Sequence, residues 1–254
     1  MMPTLVAHRG WATRWPENTL EGLMAAVDAG ADHVEFDIQL SADGVPVLLH
    51  DATLERTAGH AGCALDMQWD ELKRIKVGET GRLGDACAHA RLPSLALIRD
   101  WLETEPDVTA FAEIKTESLS RFGVGRVVDA CLHALDPVLE RCVITSFNDE
   151  VLLAARKKRQ ARIAWVLSRF DQESCDQALS LAPEFLFCNY RKLPAGMSKL
   201  PSGPWQWVLY EVTNAQLALE LAEKGASHIE TMAIGEMLSD PLLANNHDKD
   251  RETF

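Results

Sequence analysis

The sequence predicts an α/β protein whose parallel strands close into a (β/α) barrel, and three observations support this prediction. Short apolar runs alternate with longer amphipathic stretches along the 254-residue chain, as in repeated βα units. Nine runs are strand candidates, but a hairpin-like turn joins two of them, which leaves eight for a parallel barrel. Charged residues end several of these runs, where the reactive side chains of such barrels lie.

The strand candidates are apolar segments bounded by turn-forming residues. In chain order they are Thr4–His8, His33–Leu40, Val45–His50, Val108–Lys115, Cys142–Phe147, Arg162–Ser168, Phe185–Cys188, Trp207–Val212 and His228–Thr231. Residues 41–44 read Ser-Ala-Asp-Gly and predict a tight turn between the second and third candidates. One member of that pair is therefore expected to be an addition to the barrel or a continuation of its neighbour.

Amphipathic stretches between the strands predict the barrel helices. They are Thr19–Ala29, Ser94–Glu103, Gly123–Leu135, Asp149–Gln160, Gln172–Leu181 and Asn214–Lys224. For the first helix we expect Asn18 as the N-cap, Glu21 as its capping-box partner and Gly30 at the end.

A Gly-rich stretch from about 52 to 91 interrupts the alternation and predicts a small insertion with one short helix, Gln68–Ile75. No low-complexity linker divides the chain, so a single domain over residues 1–254 is expected. The polar residues from Asn245 onward predict a frayed terminus.

The formal net charge of −13 disfavours nucleic acid and anionic membranes as partners. No apolar run approaches the roughly 18 to 20 residues that a membrane span requires, so no stable membrane anchor is expected. Residues 1–10 reach His8 and Arg9 before a signal-peptide core could form, and a cytoplasmic location is predicted. The residues favour no particular oligomeric state.

Two carboxylates in the second strand candidate carry the first chemical prediction. Glu35 and Asp37 are two residues apart in an apolar strand, so both side chains leave the same face, toward the barrel mouth. Adjacent carboxylates resist ionising together unless a cation lies between them. Oxygen ligands of this kind favour a hard divalent cation, Mg²⁺, Ca²⁺ or Mn²⁺.

Further charged residues end other strands. Glu113 and Lys115 share one face, and one could complete the metal site while the other holds a phosphate oxygen, although a structural ion pair explains them equally well. His8 and Arg9 end the first strand, and His50 ends the third with an imidazole suited to acid–base catalysis near neutral pH. Taken alone, His50 is better explained by a structural role at the end of a strand. Together, these charged groups at apolar strand ends predict a metal–phosphate site, because each would be costly if buried unpaired.

Six other histidines lack such a charged strand-end context and are predicted to be structural or solvated: His33, His60, His89, His133, His228 and His247.

The order and spacing of these motifs resemble the glycerophosphodiester phosphodiesterases. The motifs are His8-Arg9-Gly10, Pro16-Glu17-Asn18-Thr19, Glu35-Phe36-Asp37, His50-Asp51 with Leu54-Glu55-Arg56-Thr57, and Glu113-Ile114-Lys115. Leu92-Pro93-Ser94-Leu95 and Ser146-Phe147 are similar to further segments of that family.

The resemblance implies a TIM barrel with a small insertion after the second histidine. It also implies that Glu35, Asp37 and Glu113 bind the metal, that His8 and His50 are the acid–base pair, and that Arg9 and Lys115 hold the phosphate. The expected reaction is metal-dependent hydrolysis of a small glycerophosphodiester to sn-glycerol 3-phosphate and an alcohol. Two alternatives are a lysophospholipase D-type phosphodiesterase and a non-catalytic barrel that binds phosphodiesters.

The C-terminal third departs from the family pattern. Tyr210-Glu211-Val212-Thr213 stands where the family usually has Trp-Thr-Val-Asn, and Thr231-Met232 stands where a Thr-Asp pair is usual. Because late strands shape the alcohol side of the pocket, Glu211 could favour a cationic or hydroxyl-rich head group.

Overall fold

Eight parallel strands close into a barrel in the computed structural model of this chain, which describes residues 2–244. The strands follow one another around the barrel in the order β1, β2, β4, β5, β6, β7, β8 and β9, and β9 pairs with β1. Their ranges are β1 Thr4–His8, β2 His33–Leu40, β3 Pro46–Leu48, β4 Thr109–Ile114, β5 Cys142–Ser146, β6 Arg162–Val166, β7 Phe185–Asn189, β8 Gln206–Tyr210 and β9 His228–Thr231. The predicted barrel is confirmed.

Helices connect the barrel strands and cover them from outside. Their ranges are α1 Leu20–Asp28, α2 Glu55–Ala58, α3 Trp69–Leu72, α4 Thr80–Leu83, α5 Leu95–Thr104, α6 Thr116–Phe122, α7 Val124–Leu135, α8 Asp149–Arg159, α9 Gln172–Leu181, α10 Ala215–Glu223, α11 Ile234–Leu238 and α12 Pro241–Ala244. Short 3₁₀ helices span Ala64–Asp66, Gly84–Cys87, Asp136–Arg141 and Tyr190–Lys192. Helix α6 was not expected from the sequence. Gly123, at φ 81°, separates it from α7.

The third strand is an addition to the barrel, as the turn chemistry predicted. β3 pairs antiparallel with β2, with Ile38 opposite Leu48 and Leu40 opposite Pro46. The turn between them contains Gly44 at φ 88°, a conformation that favours glycine.

The insertion after His50 contains α2, α3, α4 and two of the 3₁₀ helices, and its apolar side chains pack with those of the flanking segments into a separate cluster. That cluster consists of Val47, Leu49, Leu54, Ala64, Leu72, Val77 and Leu92. Glu79 links the insertion to the loop after β1, because its Oε1 accepts a 2.7 Å hydrogen bond from the backbone N of Glu17. The insertion therefore lies against the β1 side of the barrel mouth.

Apolar side chains fill the barrel interior below the mouth. This inner cluster comprises Val6, Phe111, Val143, Ala164, Val166, Phe185, Phe187 and Val208. Side chains two residues apart in a strand share a face. The side chains of His8, Glu113 and Tyr210 therefore lie on the inner face of the barrel, one step closer to the carboxyl ends of the strands than Val6, Phe111 and Val208. A larger apolar layer packs the outward faces of the strands against the helices.

The predicted cap of the first helix was wrong by one residue. Thr19 is the N-cap, with its Oγ1 accepting from the backbone N of Gly22, and Asn18 lies outside the helix at φ 55°. The Asn18 side chain instead contacts Asp37, so the capping box with Glu21 does not form. Gly30 follows the helix at φ 105°, as expected for a C-terminal glycine.

Within residues 2–244, none of the helices combines the length and the apolar character needed to cross a membrane. The frayed terminus and His247 lie outside the described residues. The single-domain organisation and the cytoplasmic location stay predictions from the sequence.

Candidate active site

A small cavity of about 190 Å³ opens at the carboxyl ends of the barrel strands. Five of the seven predicted site residues line it, and the other two, Glu35 and Asp37, are buried beside them. The lining residues are His8, Arg9, His50, Glu113, Lys115, Phe147, Val166, Phe187, Tyr210, Glu211 and Glu230.

Three carboxylates converge where β2 and β4 run side by side. Asp37 and Glu113 are register partners, and Glu35 lies two residues before Asp37 on the same face. Glu35, Asp37 and Glu113 each offer an oxygen, and these oxygens lie within 4.8 Å of one another. The convergence that strand alternation predicted is therefore present.

Two cations lie against this cluster. Lys115 Nζ is 2.8 Å from Glu113 Oε1 and 3.3 Å from Asp37 Oδ1. Arg9 Nε lies 3.0 Å from Asp37 Oδ2, and the backbone N of Arg9 donates a 3.0 Å hydrogen bond to Glu35 Oε2. Burial alone lowers the pKa of both basic groups, but the neighbouring carboxylates, led by Asp37, raise both above their ordinary values.

The carboxylates of the cluster differ in how far nearby positive charges offset the effect of burial on their pKa. Burial raises the pKa of Asp37, but Arg9 and Lys115 outweigh this effect and hold it below its usual range. Burial first, and then the charges of Asp37 and Glu230, raise the pKa of Glu35 well above its usual value. A further positive charge beside Glu35 would therefore favour its ionised form.

The donor set fits a hard divalent cation. Among residues 2–244, no group donates a hydrogen bond to the buried Glu35 Oε1, and Asp37 Oδ1 has only the Lys115 ammonium nearby, at 3.3 Å and without hydrogen-bond geometry. A buried carboxylate oxygen without a donor is costly, and a metal ion would satisfy Glu35 Oε1 and could also bind Asp37 Oδ1. Oxygen-only ligands favour Mg²⁺, Ca²⁺ or Mn²⁺ over softer metals.

Asn18 holds one of these carboxylates in place. Its Nδ2 donates to Asp37 Oδ2 at 2.8 Å, and its Oδ1 accepts from the backbone N of Asp37 at 2.9 Å. Asn18 is 2% exposed and adopts φ 55°, a left-handed conformation that Asn tolerates better than most residues. The loop after β1 thus orients a carboxylate of β2.

His8 is enclosed at the base of the cavity. Its Nε2 lies 3.9 Å from Glu35 Oε2 and 3.9 Å from Glu230 Oε2, and the residue is 6% exposed. Burial, and then the charge of Arg9, lower the pKa of His8 to about 3. The imidazole is therefore neutral at pH 7 in this structure.

His50 is more open and has a carboxylate partner. Its Nδ1 lies 2.7 Å from Asp51 Oδ1, and because an ionised carboxylate can only accept, Nδ1 is the donor. This arrangement leaves Nε2 of the neutral ring available as an acceptor. The backbone N of Leu49 bonds Asp37 O at 3.0 Å and thereby keeps this segment beside β2.

A charged network supports the rim of the cavity. Arg56 donates two hydrogen bonds to Glu17, at 2.7 and 2.8 Å, and a third to Asp51 Oδ2 at 2.5 Å. Arg9 Nη1 also donates to Glu17, at 3.1 Å. Arg56, which belongs to the insertion, thus connects Asp51, the partner of His50, to Glu17, the partner of Arg9.

Glu230 was missed in the sequence analysis. It lies in β9, is 3% exposed, and shares a second group of candidate metal ligands with His8 and Glu35. The sequence does indicate it, since Glu230 is an acid within the apolar strand His228–Thr231. Only the departure of the next residue, Met232, from the family pattern was noted for that strand. Glu17 was noted only as part of a motif, and Asn18 as part of the same motif and as the expected N-cap.

Known proteins similar to this chain were found by sequence and by structure. Residues 8–192 match the Glycerophosphoryl diester phosphodiesterase family. A glycerophosphodiester phosphodiesterase of Caldanaerobacter subterraneus subsp. tengcongensis is 31% identical over 157 residues, covering 62% of this chain and 63% of that protein. Glycerophosphodiester phosphodiesterase 1 of Bos taurus is 36% identical over 165 residues, covering 65% of this chain and 48% of that protein. The matches thus span less than two thirds of these relatives.

Solved structures share the fold over nearly the whole chain. An Oleispira antarctica phosphodiesterase in complex with the product sn-glycerol-3-phosphate has a TM-score of 0.80 at 22% identity, covering 94% of this chain and 96% of that one. A glycerophosphodiester phosphodiesterase from Agrobacterium tumefaciens has a TM-score of 0.73 at 20% identity, covering 94% and 100%. The family match covers most of the chain, and its motif residues meet in one cavity. The chain therefore belongs to the glycerophosphoryl diester phosphodiesterase family.

Proposed function

We propose that this protein hydrolyses small glycerophosphodiesters to sn-glycerol 3-phosphate and an alcohol, with a divalent cation and two histidines. The observation that carries the proposal is the convergence of Glu35, Asp37 and Glu113 beside a cavity that both His8 and His50 line. The family match and the glycerol phosphate bound to the Oleispira antarctica phosphodiesterase support this substrate class.

Arg9 and Lys115 bind the phosphate in this proposal. Both line the cavity, and both stay charged at neutral pH because carboxylates surround them. Their positive charge attracts a phosphodiester into a protein whose net charge of −13 would otherwise repel it. They also stabilise the negative charge that grows on the phosphoryl oxygens in the transition state.

Glu35, Asp37 and Glu113 would hold the divalent cation. When bound, such an ion acts as a Lewis acid that withdraws charge from a phosphoryl oxygen. Asn18 and the backbone N of Arg9 fix the orientation of two of these carboxylates before any ligand arrives. Fixed ligands cost less to order on binding than mobile ones.

The two imidazoles transfer protons. One removes the proton from the attacking hydroxyl, and the other protonates the oxygen of the alcohol as its bond to phosphorus breaks. Asp51 holds the His50 ring in the tautomer that presents Nε2, and a fixed tautomer is what general acid–base catalysis requires. If water attacks, sn-glycerol 3-phosphate forms directly. If the glycerol hydroxyl of the substrate attacks, the alcohol leaves and a cyclic phosphate forms, which water then opens to sn-glycerol 3-phosphate.

The structure favours small polar substrates over lysophospholipids. The cavity that both histidines line has a volume of about 190 Å³, and a larger cavity of about 520 Å³ that shares Arg9 with it is lined mainly by charged side chains, among them Glu17 and Arg56. Within residues 2–244, the large hydrophobic side chains that are exposed are Met24, Leu97, Leu153, Leu179 and Leu242. None of them lies in the insertion, so this segment offers no large exposed hydrophobic side chain to hold an acyl chain.

The test is a hydrolysis assay over a panel of glycerophosphodiesters, with enzymatic measurement of sn-glycerol 3-phosphate. Lysophosphatidylcholine serves as the competing substrate. We expect activity with Mg²⁺, Ca²⁺ or Mn²⁺, loss of activity with EDTA, and recovery when the metal is restored. Full activity in EDTA would refute the metal role. Faster turnover of lysophosphatidylcholine would reverse the substrate order, and binding without turnover would support the non-catalytic alternative.

A further inference from the structure

Arg56, in the insertion, binds two carboxylates at once. Its Nη1 and Nη2 donate to the two oxygens of Glu17 at 2.7 and 2.8 Å, and its Nε donates to Asp51 Oδ2 at 2.5 Å. Glu17 also accepts a hydrogen bond from Arg9, and Asp51 accepts one from His50. Because the guanidinium is planar and rigid, its three bonds fix the two carboxylates relative to each other.

His50 depends on a contact of this kind more than His8 does. His8 ends β1, a barrel strand that pairs with a neighbour on each side. His50 follows β3, which has three residues and lies outside the barrel. The side chains of His50 and of its partner Asp51 are 32% and 34% exposed, so packing holds neither of them firmly. The position of the His50 ring therefore depends on what holds Asp51.

Glu17 provides the buried end of this chain of contacts. It is 7% exposed, and its backbone N donates a 2.7 Å hydrogen bond to Glu79 Oε1. Burial raises the pKa of Glu17, but the hydrogen bonds from Arg56 and the charge of Arg9 outweigh this effect and hold it below its ordinary value. Glu17 is thus an ionised acceptor in a fixed position, from which Arg56 holds Asp51.

Arg56 does not line the cavity of about 190 Å³ where the two histidines meet. It lies instead on the neighbouring cavity of about 520 Å³, which shares Arg9 with the first. Its three hydrogen bonds also occupy both ends of the guanidinium and its Nε edge. The geometry therefore suits Arg56 to placing other side chains rather than to binding the phosphodiester.

We propose that Arg56 is a positioning residue for the hydrolysis, which fixes Asp51 against Glu17 and so holds the His50 ring in one tautomer and at one place relative to Arg9. The proposal rests on the proposed function, since it assigns a residue of the insertion to the same reaction. Because Arg56 has no contact with the substrate in this proposal, its removal should lower kcat much more than it changes KM.

The first experiment compares the kinetics of Arg56→Ala and Arg82→Ala. Arg82 is the matched control, because it also belongs to the insertion, is 41% exposed against 46% for Arg56, and bonds Glu79 and two backbone oxygens of the loop after β1. Among residues 2–244, none of its hydrogen bonds goes to Asp51 or to the Glu17 carboxylate. We expect kcat to fall on the order of a hundredfold in Arg56→Ala, with KM within about threefold, and to stay within about threefold in Arg82→Ala.

Three outcomes of this comparison would overturn the proposal. Unchanged kcat in Arg56→Ala would show that the ring needs no such support. A higher KM at unchanged kcat would make Arg56 a ligand of the substrate. Equal losses of kcat in both variants would show that each arginine only stabilises the insertion.

The second experiment is a double-mutant cycle with His50→Ala. A residue that acts through His50 has nothing left to position once the imidazole is gone. We therefore expect Arg56→Ala to lower kcat by less than about threefold in the His50→Ala background. Arg56→Lys keeps the charge but not the planar fork, and should recover only part of kcat. A loss on the order of a hundredfold in both backgrounds would overturn the proposal.

The third experiment needs no turnover. Nitrogen NMR of histidine-labelled protein at alkaline pH distinguishes the two neutral tautomers, and His50→Ala identifies the signal. We expect the Nδ1–H form of His50 to dominate in the unmodified protein and in Arg82→Ala, and both tautomers to be populated in Arg56→Ala. An unchanged tautomer in Arg56→Ala would overturn the proposal. Absence of hydrolysis with every glycerophosphodiester would instead reject the proposed function, and the NMR comparison would still test the positioning.

Discussion

Removing the side chain of Asn18 tests how the loop after β1 supports the carboxylate cluster. Asn18→Ala deletes both hydrogen bonds between Asn18 and Asp37, of 2.8 and 2.9 Å. One of them reaches a buried carboxylate, and a bond to a charged group is worth about 1.5 to 3 kcal/mol. The other leaves the buried backbone N of Asp37 without an acceptor, at a cost of about 1 to 3 kcal/mol.

The left-handed backbone at φ 55° adds a further cost. Alanine is less favourable than asparagine in this region, by an amount on the order of 1 kcal/mol. Taken together, these three costs predict that Asn18→Ala lowers the free energy of unfolding by about 3.5 to 7 kcal/mol. Asn18→Gly loses the same hydrogen bonds without this strain, and should be more stable than the alanine variant by about 1 kcal/mol.

The assay is urea denaturation of both variants, combined with calorimetric titration of Mn²⁺. Because Asn18 orients a proposed metal ligand, we expect the affinity for Mn²⁺ to fall about tenfold to a hundredfold. Thr19→Ala is the control, since it removes the cap of α1 at a cost of about 1 kcal/mol and leaves Asp37 in place. The reasoning is refuted if Asn18→Ala is no less stable than Thr19→Ala and binds Mn²⁺ as tightly.

Two further predictions concern histidines. His8→Ala and His50→Ala should each lower kcat about 10²-fold to 10⁴-fold without unfolding the protein, and near-normal kcat in either variant would remove that residue from the mechanism. His228 is 6% exposed and packs edge-on against Phe185; burial, and then the charge of His33, lower its pKa to about 4. The unfolded chain binds the proton more readily, so this residue should reduce stability by about 2 kcal/mol between pH 7 and pH 5, and His228→Phe should remove that loss in urea titrations.

Strand alternation made the pairs of charged residues predictable. Glu35 with Asp37, and Glu113 with Lys115, share a face in any extended strand, whatever the rest of the chain does. Helix and strand positions followed for the same reason, and β1, β2, β9 and α9 have the bounds that periodicity predicted. The insertion was visible as a Gly-rich break, but its apolar cluster and its contact with Glu17 were not, because they join residues far apart in sequence.

Other features depended on barrel closure and on loop conformation. Pairing of β9 with β1 brings Glu230 to His8, and neither strand alone indicates this contact. A single rotation of the backbone at Asn18 decides whether its amide caps a helix or holds Asp37, and the same sequence is compatible with both. Local periodicity by itself determined which residues face the barrel mouth. Only the tertiary structure decided which of these residues have an opposite charge nearby. The reason is that the energy of a buried charge depends on distances between strands, which sequence spacing does not specify.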